Sequence, residues 1–123
     1  MKKILLIDDV REPQWIPDPD GDNSNFMVRP KYKAEDVEIA RTAEEGIEKL
    51  KEQKWDLILL DHDMGLGKNG MDVLKFLMNP DGNQHIPKKI YLVTANVVAG
   101  PNMMSLLEAF KKEGLLEDFT WIR

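Results

Sequence analysis

The sequence predicts an α/β domain built around a parallel β-sheet. The run Leu57–Leu60 consists of four large aliphatic residues, a pattern typical of a strand that helices bury on both faces. Similar runs occur at residues 4–7 and 90–93, and polar side chains follow each run at once. Because open α/β sheets bind ligands beyond the carboxyl ends of their strands, we expect the functional site where these three strands end.

Size and composition set limits on the function. A chain of 123 residues is expected to form a single domain over residues 1–123. Its formal net charge of −5 argues against a broad nucleic-acid-binding surface. The sequence contains no cysteine, which excludes disulfides and cysteine-based zinc sites within it. The first apolar run stops at Asp8, too early for a signal peptide, and no run approaches the length of a membrane span. We therefore expect a cytoplasmic protein without a membrane partner.

Strands and helices alternate along the chain after an unusual first connection. Residues 11–25 contain Pro13, Pro17, Pro19 and Gly21 and are predicted to form a long surface loop, of a kind that is usually functional or mobile. The predicted strands are residues 3–8, 37–40, 57–60, 90–93 and 119–122, with a short extended piece at 26–28 that we expect to pair with 37–40. The predicted helices are residues 42–53, 69–79 and 100–114, with a turn at 80–83.

The helix boundaries have local signals. Thr42 is followed three residues later by Glu45, the pattern of a capping box at a helix start. Pro101 is predicted to be the first residue of the third helix, and Gly114 to end it. This alternation predicts a doubly wound parallel sheet with right-handed crossovers. A long loop replaces the helix expected between the first two strands.

Four carboxylates are predicted to meet at the strand ends: Asp8, Asp9, Asp61 and Asp63. Two carboxylates about 4 Å apart repel by roughly 4 kcal/mol at an effective dielectric constant near 20, so the group needs a proton, a basic neighbour or a metal ion. Ligand sets made only of oxygen favour hard cations, and Mg²⁺ commonly combines one or two carboxylates with waters and a substrate phosphate. In the alternative interpretation, Asp8 and Asp9 cap the following loop and Asp63 is a solvated turn residue.

The segments at the strand ends resemble the receiver domain of bacterial response regulators. The resemblance rests on residues 6–9, 57–61 and 93–95 and spans residues 3–121. It implies a flavodoxin-like five-stranded parallel sheet with the strand order 2-1-3-4-5. It also implies Mg²⁺ held by Asp8 or Asp9, by Asp61 and by the backbone carbonyl of Asp63. Asp61 would then be the phosphoryl acceptor, and the Thr94 hydroxyl would meet the phosphate.

Two departures from the receiver pattern indicate a particular branch. Receivers have a lysine at the end of the last strand, whereas residues 119–122 run into Arg123 here, and arginine is not a simple replacement for lysine at such a site. The first helix is also missing. Residues 8–13, 60–65 and 96–103 resemble a receiver-like family proposed to process cyclic phosphates, known from bacteria and their phages. That family has a His-Ser pair where this chain has Thr94-Ala95.

This second resemblance implies roles for three further side chains. Arg11 would bind a phosphate through its planar guanidinium group, His62 would shuttle a proton near neutral pH, and Asn96 would orient an oxygen. As a loop residue, Arg11 is expected to contribute more to turnover than to folding. The alternatives are that Arg11 is a surface charge and that His62 points out of the crevice.

We expect a stand-alone receiver-like domain, for which three functional hypotheses follow. The first is Mg²⁺-dependent hydrolysis or transfer at a phosphate ester, on a phosphate-containing small molecule or an RNA end, with Asp61 central. The second is phosphorylation of Asp61, with a kinase and a protein partner that reads the phosphorylated surface. The third is a metal-binding interaction module without turnover. The missing lysine weighs against the second hypothesis, and the missing His-Ser pair weighs against the first.

Overall fold

The described part of the computed structural model, residues 3–16, 32–65 and 67–122, contains one five-stranded sheet. All neighbouring strands pair in parallel, in the order β2-β1-β3-β4-β5. The strands are β1 (Ile4–Ile7), β2 (Val37–Ala40), β3 (Leu57–Leu60), β4 (Lys89–Leu92) and β5 (Asp118–Trp121). The predicted fold class and strand order are therefore confirmed.

Among the described residues, four α-helices lie between these strands: α1 (Ala43–Glu52), α2 (Gly70–Met78), the single turn α3 (Pro80–Asn83) and α4 (Ala99–Lys112). The Thr42 hydroxyl accepts a hydrogen bond from the Glu45 amide at 3.1 Å, as the capping pattern predicted. At α2, Asn69 and Asp72 exchange side-chain and backbone hydrogen bonds in a reciprocal capping box. Both helix starts are thus fixed by local polar side chains.

Several bounds differ from the sequence prediction: β4 and β5, for example, each begin and end one residue earlier than predicted. Residues 80–83 were predicted as a turn, but Pro80 begins a single helical turn in which two amides donate to the Asn79 carbonyl. The last helix begins at Ala99 instead of Gly100, because the Asn96 side chain accepts hydrogen bonds from the Val98 and Ala99 amides at 2.9 and 2.8 Å. Pro101 is consequently the third helical residue.

The sheet has an apolar cluster on each face. Leu5 and Ile7 of β1 belong to a cluster that includes residues from α1, α2 and α4, whereas Leu6 belongs to a second cluster with Ile16 and Tyr32 from the β1–β2 connection. The β1–β2 connection moves along the sheet in the opposite direction to the other three. Right-handed crossovers therefore place its described residues Ile16 and Tyr32 on the opposite face.

Part of the first connection lies outside the described residues. Residues 11–25 were predicted to form a long surface loop; in its described part, Pro13–Trp15 form a 3₁₀ turn and no α-helix is present. Residues 17–25 of the predicted loop and the predicted extended piece at 26–28 lie outside the described residues. The β2 strand pairs with β1 along its whole length, from Ile4 opposite Val37 to Ile7 opposite Ala40.

Among the described helices, none has the length and apolar character required to cross a bilayer.

Candidate metal and phosphoryl site

The residues after β1 and β3 continue the sheet by one hydrogen bond each. The Asp8 amide donates to the Ala40 carbonyl and the Asp61 amide donates to the Ile7 carbonyl, both at 3.0 Å. The two aspartates are therefore fixed side by side at the carboxyl edge of the sheet. Both are buried, with exposures of 0% for Asp8 and 4% for Asp61.

The carboxylates of Asp8, Asp9 and Asp61 form an acidic cluster. One oxygen from each lies within 4.8 Å of the other two. Asp8 Oδ1 accepts hydrogen bonds from the Val10 and Arg11 amides, both at 3.0 Å, so Asp8 does cap the following loop. Its second oxygen faces the cluster. Capping and clustering, which the sequence presented as alternatives, are both found at Asp8.

Arg11 lies inside this crevice. Its Nη1 is 2.8 Å from Asp8 Oδ2 and 3.3 Å from Asp61 Oδ1, and its side chain is 29% exposed. One guanidinium group beside three carboxylates leaves two negative charges when all are ionised. Burial raises the pKa of Asp61, and the charge of Asp8 raises it further, while Arg11 acts in the opposite direction. The crevice thus retains unbalanced negative charge in buried surroundings, where it is costly.

The loop that carries Arg11 is held by Arg41, which the sequence interpretation missed. Arg41 Nη1 donates to the Arg11 carbonyl at 2.8 Å and to the Asp8 carbonyl at 3.4 Å, and Nη2 pairs with Glu12 at 2.8 Å. Arg41 is the first residue after β2. Polar residues directly after the other strands were predicted to lie at the functional edge of the sheet, and the same rule applies to Arg41.

A second polar group lies at the rim. His62 Nδ1 is 2.9 Å from Asp63 Oδ1, and Asn96 Nδ2 donates to both Asp63 oxygens at 3.2 and 3.3 Å. The His62 hydrogen bond is the main reason that the pKa of Asp63 is lowered. The Asp63 carboxylate lies outside the acidic cluster found among the described residues. Metal binding by Asp63, through its carbonyl or carboxylate, and the role of Asn96 in orienting an oxygen stay predictions.

Thr94 connects the crevice to the end of the sheet. Its side chain is 2% exposed, its hydroxyl accepts from the Asn96 amide at 3.0 Å, and a hydrogen bond to Asp61 lowers the pKa of that carboxyl group. Trp121 Nε1 donates to the Thr94 carbonyl at 2.8 Å. The structure therefore brings Thr94 to Asp61, as predicted, and adds Trp121, for which the sequence offered no signal.

The start of α2 packs against the end of β3. A methyl group on Gly70 would lie 2.0 Å from the Asp61 carbonyl oxygen, and the Gly70 amide donates to the His62 carbonyl at 3.0 Å. Only a residue without a side chain permits this approach. Gly70 thus positions the turn that carries Asp61 and His62.

Comparison with known proteins places the chain in a family. The sequence profile described as the cyclic-phosphate processing receiver domain matches residues 3–109. The chain belongs to this family of receiver domains. No curated protein sequence matches it.

Solved structures show the same fold. The response regulator TrrA of Thermotoga maritima, crystallised in complex with Mg²⁺-BeF, superposes with a TM-score of 0.56 at 24% identity, covering 100% of this chain and 88% of that one. The response regulator domain of Thermotoga maritima CheB gives 0.54 at 21%, covering 96% and 75%. The phosphorylated cyanobacterial phytochrome response regulator RcpA gives 0.52 at 16%, covering 98% and 79%. These identities establish the fold alone.

The acidic cluster fits the requirements of Mg²⁺. Its donors are carboxylate oxygens, the ligands that this hard cation prefers. The two negative charges left after pairing with Arg11 match the charge of the ion. Asp9 is the one half-buried member of the cluster, beside two buried ones, and Mg²⁺ usually retains several waters.

Proposed function

We propose that the crevice is a Mg²⁺-dependent phosphoryl site that hydrolyses or transfers a phosphate ester, with a cyclic phosphate as the preferred substrate class. The single observation that carries this proposal is the cluster of Asp8, Asp9 and Asp61 within 4.8 Å, beside one arginine. Such a crevice supports the binding of a divalent cation together with an anionic ester. The family description supports the cyclic phosphate.

In this proposal, Asp9, Asp61 and the second oxygen of Asp8, which also pairs with Arg11, hold the metal ion. The Asp63 carbonyl completes its protein ligands. When bound, Mg²⁺ supplies charge stabilisation to the phosphoryl oxygens. Arg11 offers further N–H donors to the phosphate in charge-assisted hydrogen bonds.

The protons require a group at the rim. In hydrolysis, a water oxygen bonds to phosphorus as the water gives up a proton, one P–O ester bond breaks, and the departing alkoxide takes a proton in return. His62 is the candidate to transfer this proton, because the Asp63 carboxylate at 2.9 Å orients its imidazole ring. Asn96 holds Asp63 and the start of α4 with its two side-chain groups, so we assign it a positioning role.

A signalling function is the second candidate, and one observation favours it. Val97 and Val98 lie just beyond Thr94 and are 78% and 73% exposed. Exposed apolar residues beside a phosphorylated Asp61 would give a protein partner a surface to read. In this alternative, a kinase or a small phosphodonor leaves a lasting acyl phosphate on Asp61.

The two functions differ in the fate of the phosphoryl group. The wild-type protein is treated with acetyl phosphate and Mg²⁺, and its mass is measured by intact mass spectrometry. In parallel, the conversion of nucleoside 2′,3′-cyclic phosphates and of RNA ends that carry a cyclic phosphate to the ring-opened monoesters is measured by chromatography. Asp61→Asn tests the site, and Asp36→Asn, at the opposite end of the strands, is the matched control. We expect Mg²⁺-dependent turnover that Asp61→Asn abolishes and Asp36→Asn retains. A stable phosphorylated Asp61 without turnover would refute the enzymatic proposal and favour signalling.

A further inference from the structure

A cavity of about 330 Å³ opens beside the phosphoryl site. Two of its lining residues, Arg11 and Thr94, also contact the acidic cluster. The other described lining residues are Val93, Ala95, Val97, Trp121 and Ile122. The cavity is thus polar where it meets the crevice and apolar elsewhere.

Two contacts hold the aromatic wall of this cavity. Trp121 Nε1 donates to the Thr94 carbonyl at 2.8 Å, and the Trp121 ring lies so close to Gly100 that an added methyl group would be 2.2 Å from it. The indole is therefore fixed relative to Thr94. A preformed wall of this kind binds a rigid ring without an additional ordering cost.

The chemistry of the two ends of the cavity indicates which kind of ligand it binds. Arg11 provides positive charge for a phosphate, and the apolar wall suits a planar ring better than the hydroxyl groups of a sugar, because burying unpaired hydroxyl groups is costly. Ligand pockets usually range from about 300 to 1,000 Å³, so the cavity has room for one ring system.

We propose that this cavity binds the base of a nucleoside phosphate whose phosphoryl group occupies the crevice. The proposal rests on the proposed function, since it assigns a substrate class to the same site. Apart from the Trp121 indole, the polar side chains among the described lining residues are those of Arg11 and Thr94. Both of these contact the acidic cluster. We therefore expect weak discrimination between purine and pyrimidine bases.

Calorimetric titration with three probes tests the proposal. The wild-type protein in Mg²⁺ is titrated with adenosine 5′-monophosphate, with ribose 5-phosphate, which lacks the base, and with adenosine, which lacks the phosphate; phosphate release is monitored in the same samples. We expect the nucleotide to bind about tenfold more tightly than ribose 5-phosphate, within the range typical of a base on an aromatic side chain. Cytidine 5′-monophosphate should bind within about threefold of the adenine nucleotide.

A matched pair of variants locates the effect. Val97 lines the cavity and Val98 does not, although both are similarly exposed. Val97→Ser should reduce the preference for the nucleotide by about threefold, because apolar contact area is lost, and Val98→Ser should retain it. Equal binding of nucleotide and ribose 5-phosphate would overturn this inference and leave the phosphoryl site standing. If none of the probes binds, this inference fails, and the turnover assay with cyclic phosphates decides separately whether the phosphoryl site exists. Equal losses in the two variants would overturn the assignment to this cavity.

Discussion

Removing the charge of Asp9 should change stability in opposite directions with and without Mg²⁺. Asp9 contributes an oxygen within 4.8 Å of oxygens from Asp8 and Asp61. At that distance, 4.8 Å, two unit charges repel by roughly 3.5 kcal/mol at a dielectric constant near 20 and by about 0.9 kcal/mol in water. Asp9 is partly exposed and Arg11 offsets some of the repulsion, so we expect Asp9→Asn to stabilise the metal-free protein by about 1 kcal/mol. This corresponds to a Tm increase of about 4 °C.

With Mg²⁺ present, the wild-type protein should become more stable than Asp9→Asn. A ligand bound only to the native state adds about 2.7 kcal/mol at a hundredfold excess over Kd, and the variant should lose this gain. Thermal unfolding of the wild type and of Asp9→Asn, each with and without Mg²⁺, gives the four Tm values. Asp36→Asn is the control, because it removes the same charge at the opposite end of the strands. An Asp9→Asn protein with a full Mg²⁺ response, or with a lower Tm than wild type without metal, would refute the reasoning.

Three further predictions concern the same site. Arg11→Gln should destabilise the metal-free protein by about 1–2 kcal/mol, because it leaves the buried carboxylate of Asp8 without its ion pair. The same variant should bind Mg²⁺ with a lower Kd. Unchanged unfolding together with an unchanged Kd would contradict both expectations. The raised pKa of Asp61 means that its ionisation opposes folding. The stability that the protonated Asp61 gives the metal-free protein is therefore present below the ordinary carboxyl pKa of 3.8 and is lost as the pH rises towards the folded pKa. Urea unfolding across that pH range should show a fall in the free energy of unfolding that Asp61→Asn lacks. Gly70→Ala should cost about 1–3 kcal/mol and weaken Mg²⁺ binding, because its methyl group displaces the Asp61 carbonyl; wild-type Mg²⁺ binding in a folded variant would show that this contact does not position the site.

The fold was predictable because the strands carry their own signals. Each buried run, such as Leu57–Leu60, ends abruptly on polar residues, and parallel strands bring their carboxyl ends to one edge. The same rule was sufficient to bring Asp8, Asp61 and Thr94 together. The same rule also applies to Arg41, the residue after β2. Its contacts with the Asp8 and Arg11 carbonyls depend on the tertiary structure, and no sequence pattern encodes them.

Other features of the site depend on tertiary contacts that a pattern does not encode. The sequence predicted that Arg11 matters little for folding, but its ion pair with the buried Asp8 gives it a structural role as well. The Asn96 side chain proved to cap α4 and to hold Asp63. The hydrogen bond from Trp121 to the Thr94 carbonyl joins residues 27 positions apart, and only the strand register brings them together.

A crystal structure of the protein with Mg²⁺ and a phosphate analogue such as beryllofluoride would test the central claim most directly. We predict one metal ion bound by Asp9, Asp61 and the Asp8 oxygen that faces the cluster. The analogue should lie against this ion, with Arg11 and the Thr94 hydroxyl in contact with its fluorides. A crevice in which Arg11 keeps both carboxylates and neither ion nor analogue binds, at Mg²⁺ concentrations that saturate other receiver domains, would contradict the account.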